Sequence, residues 1–128
     1  MIPITRPCVG EEEAQAAAKA VLSGWLSQGA QVQAFEAAVA EYTGAKHAVA
    51  TSNCTTALHL ALIAAGVGPG DEVICPSFSF IATANSVLHA GGTPVFVDID
   101  PRTYNLDVAL IERRAVDHLV RGPPLVAV

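Results

Sequence analysis

The spacing of apolar residues changes near position 47. Before it the spacing is helical. Pro3 and Pro7 keep the opening residues extended. Glu11, Glu12 and Glu13 then start an alanine-rich run whose acidic end suits the positive pole of a helix dipole. The pattern predicts a first helix over 11–22, ended by Ser23 and Gly24. Residues 25–31 read as a loop. Val32, Phe35, Val39 and Tyr42 recur at spacings of three and four, which predicts a second helix over 32–42, stopped by Gly44.

From position 47 onward short apolar runs alternate with helical stretches. Residues 47–51 read as a buried strand, 52–54 as a turn, and 57–65 as a helix capped by Thr55 or Thr56. After a Gly/Pro-rich loop, residues 72–75 form a second strand closed by Pro76. Ser77 and Ser79 then cap a helix over 80–89 that Gly91 and Gly92 break. Residues 93–97 read as a third strand and 106–114 as a fifth helix. This alternation is the signature of an α/β fold: three layers, α-β-α, around a mostly parallel sheet with helical crossovers. In such sheets ligands bind at the carboxyl ends of strands. That rule selects residues 52–56 and 76–80.

Composition narrows the class. The 128 residues are 52% hydrophobic, which excludes wholesale disorder. Aromatics are only 5%, and packing by small apolar residues suits close helix-on-sheet layers. A formal net charge of −5 argues against nucleic-acid binding. No apolar run reaches the roughly 20 residues of a membrane helix, and no signal-peptide pattern is present. Cys8, Cys54 and Cys75 are odd in number and scattered, which fits a reducing, cytoplasmic setting.

Three segments carry candidate chemistry. In 52–56, three hydroxyls and a small-residue turn precede a helix, whose free N–H groups would receive a phosphate dianion. The segment lacks the Gly-Lys-Ser/Thr of a nucleoside-triphosphate loop, so a cofactor monoester fits better; ordinary capping would leave the same pattern. In 76–80, Phe78 and Phe80 follow a strand end, and either could stack on a planar ring or simply plug the core. Trp25, the only tryptophan, lies in a glycine-bracketed loop, where it could line a substrate pocket, a subunit contact or nothing beyond the loop itself. Other combinations are weaker. No CxxC or tetrahedral ligand set supports a metal site, and no GxSxG elbow surrounds Ser52 or Cys54. Asp98 and Asp100 fit a charged loop better than a catalytic pair. His59 reads as a packed core or edge residue.

In order and spacing these segments resemble the N-terminal part of the DegT/DnrJ/EryC1/StrS sugar aminotransferases, of fold type I. The likeness rests on IPITRP, SGWLSQGAQVQAFEAAVAEYTGAKHAVATSNCTTALHLAL and GVGPGDEVICPSFSFIATANSVLHAGGTPVFVDIDPRTYNLD, together about residues 2–112. It implies pyridoxal 5′-phosphate (PLP) as cofactor, and transfer of an amino group, usually from glutamate, to a nucleotide-linked ketosugar by a homodimer. By the same resemblance Asn53, Cys54, Thr55 and Thr56 match the phosphate loop. The N–H groups of Cys54 to Thr56 and the Thr55 hydroxyl would then hold the phosphate. Phe80 matches the aromatic that stacks on the pyridine ring, and Gly24, Trp25 and Leu26 match the substrate-side loop.

Such chemistry also needs a Schiff-base lysine and a carboxylate against the pyridine nitrogen. The only lysines are Lys19 and Lys46, and neither matches the family's catalytic position. No catalytic residue is therefore assigned. The resemblance implies an N-terminal helical segment (1–46) and the incomplete start of the PLP-binding large domain (47–128), inactive alone. Alternatives are a truncated product, a PLP-holding or subunit-pairing module, and a fragment of a sugar dehydratase of the same family. The last residues, 113–128, keep only a loose echo of the family pattern. They read as a new strand over 120–128 or as the result of a frameshift or premature stop.

Overall fold

The computed structural model describes residues 3, 5–121 and 125–126. Two compact units divide the chain, Met1–Ala50 and Thr51–Val128.

The first unit holds α1 (Glu11–Leu22) and α2 (Ala30–Thr43). The Glu13 carboxylate accepts a hydrogen bond from the Gly10 N–H at 2.6 Å, closing the start of α1. That bond is the main reason its carboxyl is held below the usual range. Gly24 and Gly44 follow the two helices at φ of 71°, a left-handed conformation open to glycine and awkward for other residues. The second helix is thus slightly longer at both ends than its periodicity predicts. Neither helix contains a buried residue.

Residues 47–51 depart from the sequence expectation. They form no strand, and Val49 is exposed rather than buried. A strand exists only through a neighbour's hydrogen bonds, and among the described residues this segment pairs with no strand. The Ala50 N–H is instead satisfied by the Glu36 carboxylate of α2 at 2.8 Å.

The second unit holds α3 (Cys54–Ala64), β1 (Glu72–Pro76), α4 (Ala82–His89), β2 (Thr93–Val97), α5 (Val108–Arg121) and β3 (Leu125–Val126). The sheet order is β2-β1-β3, and both pairings are parallel. Glu72 to Pro76 run in register with Thr93 to Val97, and Glu72 stands opposite Leu125. Side chains alternate across β1. Val73 packs with Leu62 of α3, Val67 and Val87 of α4 on one face. Ile74, Val95 and Val97 meet Leu106, Leu110 and Ile111 on the other. Helices thus cover both faces, which is the three-layer α-β-α arrangement. Gly92 lies tight under this core, where an added Cβ would come within 3.1 Å of Val67 and 3.2 Å of Val87.

Several boundaries move. The fourth helix begins at Ala82, not Phe80, and Ile81 caps it without a side-chain bond. Ser79 does not cap; its hydroxyl lies 2.6 Å from that of Thr83. The fifth helix begins at Val108, capped by the Asp107 carboxylate on the Ala109 N–H at 2.9 Å, and runs to Arg121. Of the strand expected over 120–128, only Leu125–Val126 is one, while 122–124 and 127–128 lie outside the described residues. No helix among the described residues is long and apolar enough to cross a membrane.

Candidate functional site

The α3 start is built by Asn53. Its backbone is extended, with φ of −166°, and its carbonyl accepts the first helical N–H, that of Ala57, at 3.1 Å. The Asn53 side-chain oxygen accepts from the Thr56 N–H at 2.9 Å and from the Thr56 hydroxyl at 3.1 Å. Its amide donates to the Ser52 hydroxyl at 3.2 Å, and Thr51 Oγ1 donates to the Asn53 carbonyl at 2.9 Å. The cap is therefore Asn53, not Thr55 or Thr56; the amide reaches the third N–H of the helix in the geometry a capping residue requires.

This changes which groups are left for a ligand. The Thr56 N–H is engaged by Asn53. Among the described residues, the N–H groups of Cys54 and Thr55 have no hydrogen-bond partner. They point along the positive end of α3, where an anion is stabilised. The Ser52 and Thr56 hydroxyls stand 3.4 Å apart beside them. Cys54 carries an exposed free thiol.

The loop after β1 presents the aromatics. The Ser77 N–H donates to the Val97 carbonyl at 3.1 Å, and its hydroxyl to Asp98 Oδ1 at 3.1 Å. Phe78 and Phe80 are 67% and 78% exposed, so neither plugs the core. An exposed ring held at a strand end is available for stacking. Below the loop an apolar cavity of about 150 Å³ is lined by Leu58, Leu62, Cys75, Pro76, Thr83 and Val87. Cys75 is buried there, and that burial pushes its thiol up, which makes it a packing residue and not a nucleophile.

In the first unit, Gly24, Trp25 and Leu26 follow α1. The Trp25 indole N–H donates to the Gln28 carbonyl at 2.9 Å, and the ring covers Gly29. Trp25 and Leu26 are exposed beside a hollow of about 510 Å³ also lined by Ala20, Ser23 and Gln31. Lys19 lies in the last turn of α1 and Lys46 just past α2, so both lysines belong to this unit.

Two further expectations resolve. His59 meets His89 of α4 edge to face at 5.7 Å. Asp98 and Asp100 do not act as a pair. Asp98 binds Ser77 and the Ile99 N–H, while Asp100 binds Arg102, the chief reason its carboxyl is held low. The Asp98–Ser77 link joins residues 21 apart and has no local sequence signal. Among the described residues no group of three His, Cys, Asp or Glu side chains could hold a metal ion.

The profile of the DegT/DnrJ/EryC1/StrS aminotransferase family matches residues 7–118. The chain belongs to this family. It is 61% identical over 89 residues to the GDP-perosamine synthase of Caulobacter vibrioides, covering 69% of this chain and 24% of that protein. A solved DegT DnrJ EryC1 StrS aminotransferase from Brucella abortus superposes with a TM-score of 0.82 at 38% identity, covering 89% of this chain and 31% of that one. Spr1654 from Streptococcus pneumoniae in its PLP form gives 0.80 at 36% identity, covering 88% and 29%. The chain spans less than a third of the length of the curated relatives it matches. The solved relatives are fold type I enzymes, and the layers of Thr51–Val128 are those of an α/β portion of that fold.

Proposed function

We propose that this chain supplies the phosphate and ring contacts for PLP in a nucleotide-sugar aminotransferase. The observation that carries the reading is the pair of unpartnered N–H groups, Cys54 and Thr55, at the positive end of α3. Their chemistry fits a phosphate monoester: two backbone donors, a helix dipole and neighbouring hydroxyls, with no lysine in residues 51–128. Thr55 adds its hydroxyl, and Asn53 and Thr56 keep the turn in shape. Phe80 offers a face to the pyridine ring. PLP, when bound, supplies an electron sink for amino-group transfer.

Gly24, Trp25 and Leu26 are the proposed substrate-side residues, facing a nucleotide-linked ketosugar in an assembly proposed to be a homodimer in the cytoplasm. The helices of 1–46 precede a large-domain portion over 47–128 in this reading. The amino donor is of the glutamate class. In this reading the Schiff-base lysine is not among residues 51–128, which contain none. With no lysine there, a second reading has equal chemical support for the chain alone: a module that holds PLP without turnover, in an aminotransferase or a related sugar dehydratase.

An absorbance titration of the chain with PLP and with pyridoxal tests this. Tighter binding of PLP, lost in Thr55→Ala, supports the phosphate site. Equal binding of both contradicts it.

A further inference from the structure

The loop that carries Phe80 is held by a second loop. Residues 98–107, between β2 and α5, close on themselves. The Asp100 N–H donates to the Asn105 carbonyl at 2.9 Å, the Tyr104 N–H to the Asp100 carbonyl at 2.8 Å, and the Asp107 N–H to the Asp98 carbonyl at 3.1 Å. Ile99 and Leu106 add an antiparallel bridge. Leu106 packs against the Ile74, Val95 and Val97 core, so the closed loop stands on the sheet.

Two side chains of this loop reach the Phe80 loop. Asp98 Oδ1 accepts from the Ser77 hydroxyl at 3.1 Å and from the Ile99 N–H at 2.8 Å. The Tyr104 ring meets Phe78 with centroids 5.8 Å apart. Tyr104 is also the only non-glycine residue at positive φ among the described residues, at 60°. A tyrosine takes that conformation at a cost, and here three backbone hydrogen bonds around it hold it there. Both rings stay largely exposed, so their contact fixes direction more than it buries area.

We propose that residues 98–107 are a buttress that sets the orientation of the cofactor-ring loop, with Asp98 and Tyr104 as positioning residues. Asp98 anchors Ser77, Tyr104 anchors Phe78, and Phe80 is the next aromatic along the same short segment. The inference rests on the reading of Phe80 as the ring-stacking residue. Asp98 acts as a hydrogen-bond acceptor and Tyr104 as a ring, so Asp98→Asn and Tyr104→Phe preserve both contacts.

The test compares Asp98→Ala and Tyr104→Ala with those conservative variants in the full chain. Amide exchange is read at Ser77 and Thr83, whose N–H groups bond Val97 and Phe80. Affinity is read for pyridoxamine 5′-phosphate, which forms no lysine adduct, and for inorganic phosphate. In Asp98→Ala the Ser77 amide should exchange about tenfold faster, as for loss of one ordinary hydrogen bond. Pyridoxamine phosphate should bind about fivefold more weakly in either alanine variant, within the range of one aromatic contact. Phosphate affinity should hold, and both conservative variants should restore the rest. If Asp98→Ala fails to fold, Ser77→Ala removes the same bond from the other side. Unchanged exchange, or equal loss of both ligands, overturns the buttress. An unmodified chain that binds pyridoxamine phosphate no more tightly than phosphate overturns the cofactor reading, and the buttress's role with it.

Discussion

Asn53 and Thr56 close the first turn of α3 on each other, the Asn53 side-chain oxygen accepting from both the N–H and the hydroxyl of Thr56. The turn is thereby shaped before any ligand arrives, and the two N–H groups ahead of Thr56 are left pointing outward.

The cap and the proposed phosphate site therefore make different demands on Asn53. Asn53→Ala should lower stability by about 1 kcal/mol through loss of the cap. Asn53→Asp should keep that stability, since an anion suits the helix start. It should nevertheless weaken PLP binding about tenfold or more, because a carboxylate then faces a phosphate dianion. Thermal melts and PLP titrations of the two variants separate these effects.

Cys54 is the first residue of α3 and follows an extended Asn53, with φ of −166° and ψ of 168°. Proline is well suited to such a position, and an extended residue before it is what proline requires. Cys54→Pro should change stability by less than about 1 kcal/mol while deleting one of the two free N–H donors. Phosphate-dependent binding should fall about tenfold, the worth of a hydrogen bond to a charged group. Unchanged affinity would place the phosphate elsewhere.

Gly29 lies directly against the Trp25 indole, and an added Cβ would collide with the ring. Gly29→Ala should displace the indole and break its bond to the Gln28 carbonyl. Since Trp25 is the only tryptophan, the emission maximum of the chain reports this alone. A red shift with little change in the melting of the second unit is expected.

The thiols and carboxyls set opposite limits on stability. Burial raises the Cys75 thiol, so the folded state keeps a proton that the unfolded chain has lost. Its contribution is present below the ordinary thiol value and is lost as pH rises above about 8.5. Glu13 and Asp100 are held low, Glu13 chiefly by the Gly10 N–H and Asp100 chiefly by the Arg102 side chain. Their contribution is present above about pH 4.5 and is lost as pH falls. Melting temperature against pH should decline on both limbs, and Cys75→Val should flatten the alkaline one. With a thiol reagent, Cys8 and Cys54 should react quickly and Cys75 slowly.

Local signals carried most of the fold. Glycines after α1 and α2, the triple glutamate, and the short apolar runs at β1 and β2 each name their element with neighbours alone. The 47–51 segment misled because its apolar pattern is that of a strand, whereas strand identity depends on a partner. By residue type Asn53, Thr55 and Thr56 are all competent caps, and only the extended backbone at Asn53 decides between them. The turn at Ser52–Cys54 and the aromatics after β1 are visible from their residue types alone. Ser77–Asp98 and Phe78–Tyr104 were not, since both contacts span loops joined only by the sheet.

The most direct measurement is the backbone amide spectrum of the isotope-labelled chain titrated with pyridoxamine 5′-phosphate. The expected result is saturable shifts that are largest at the Cys54 and Thr55 amides, with ring-current shifts around Phe80. Shifts that leave Cys54 and Thr55 in place would contradict the phosphate site and the function built on it.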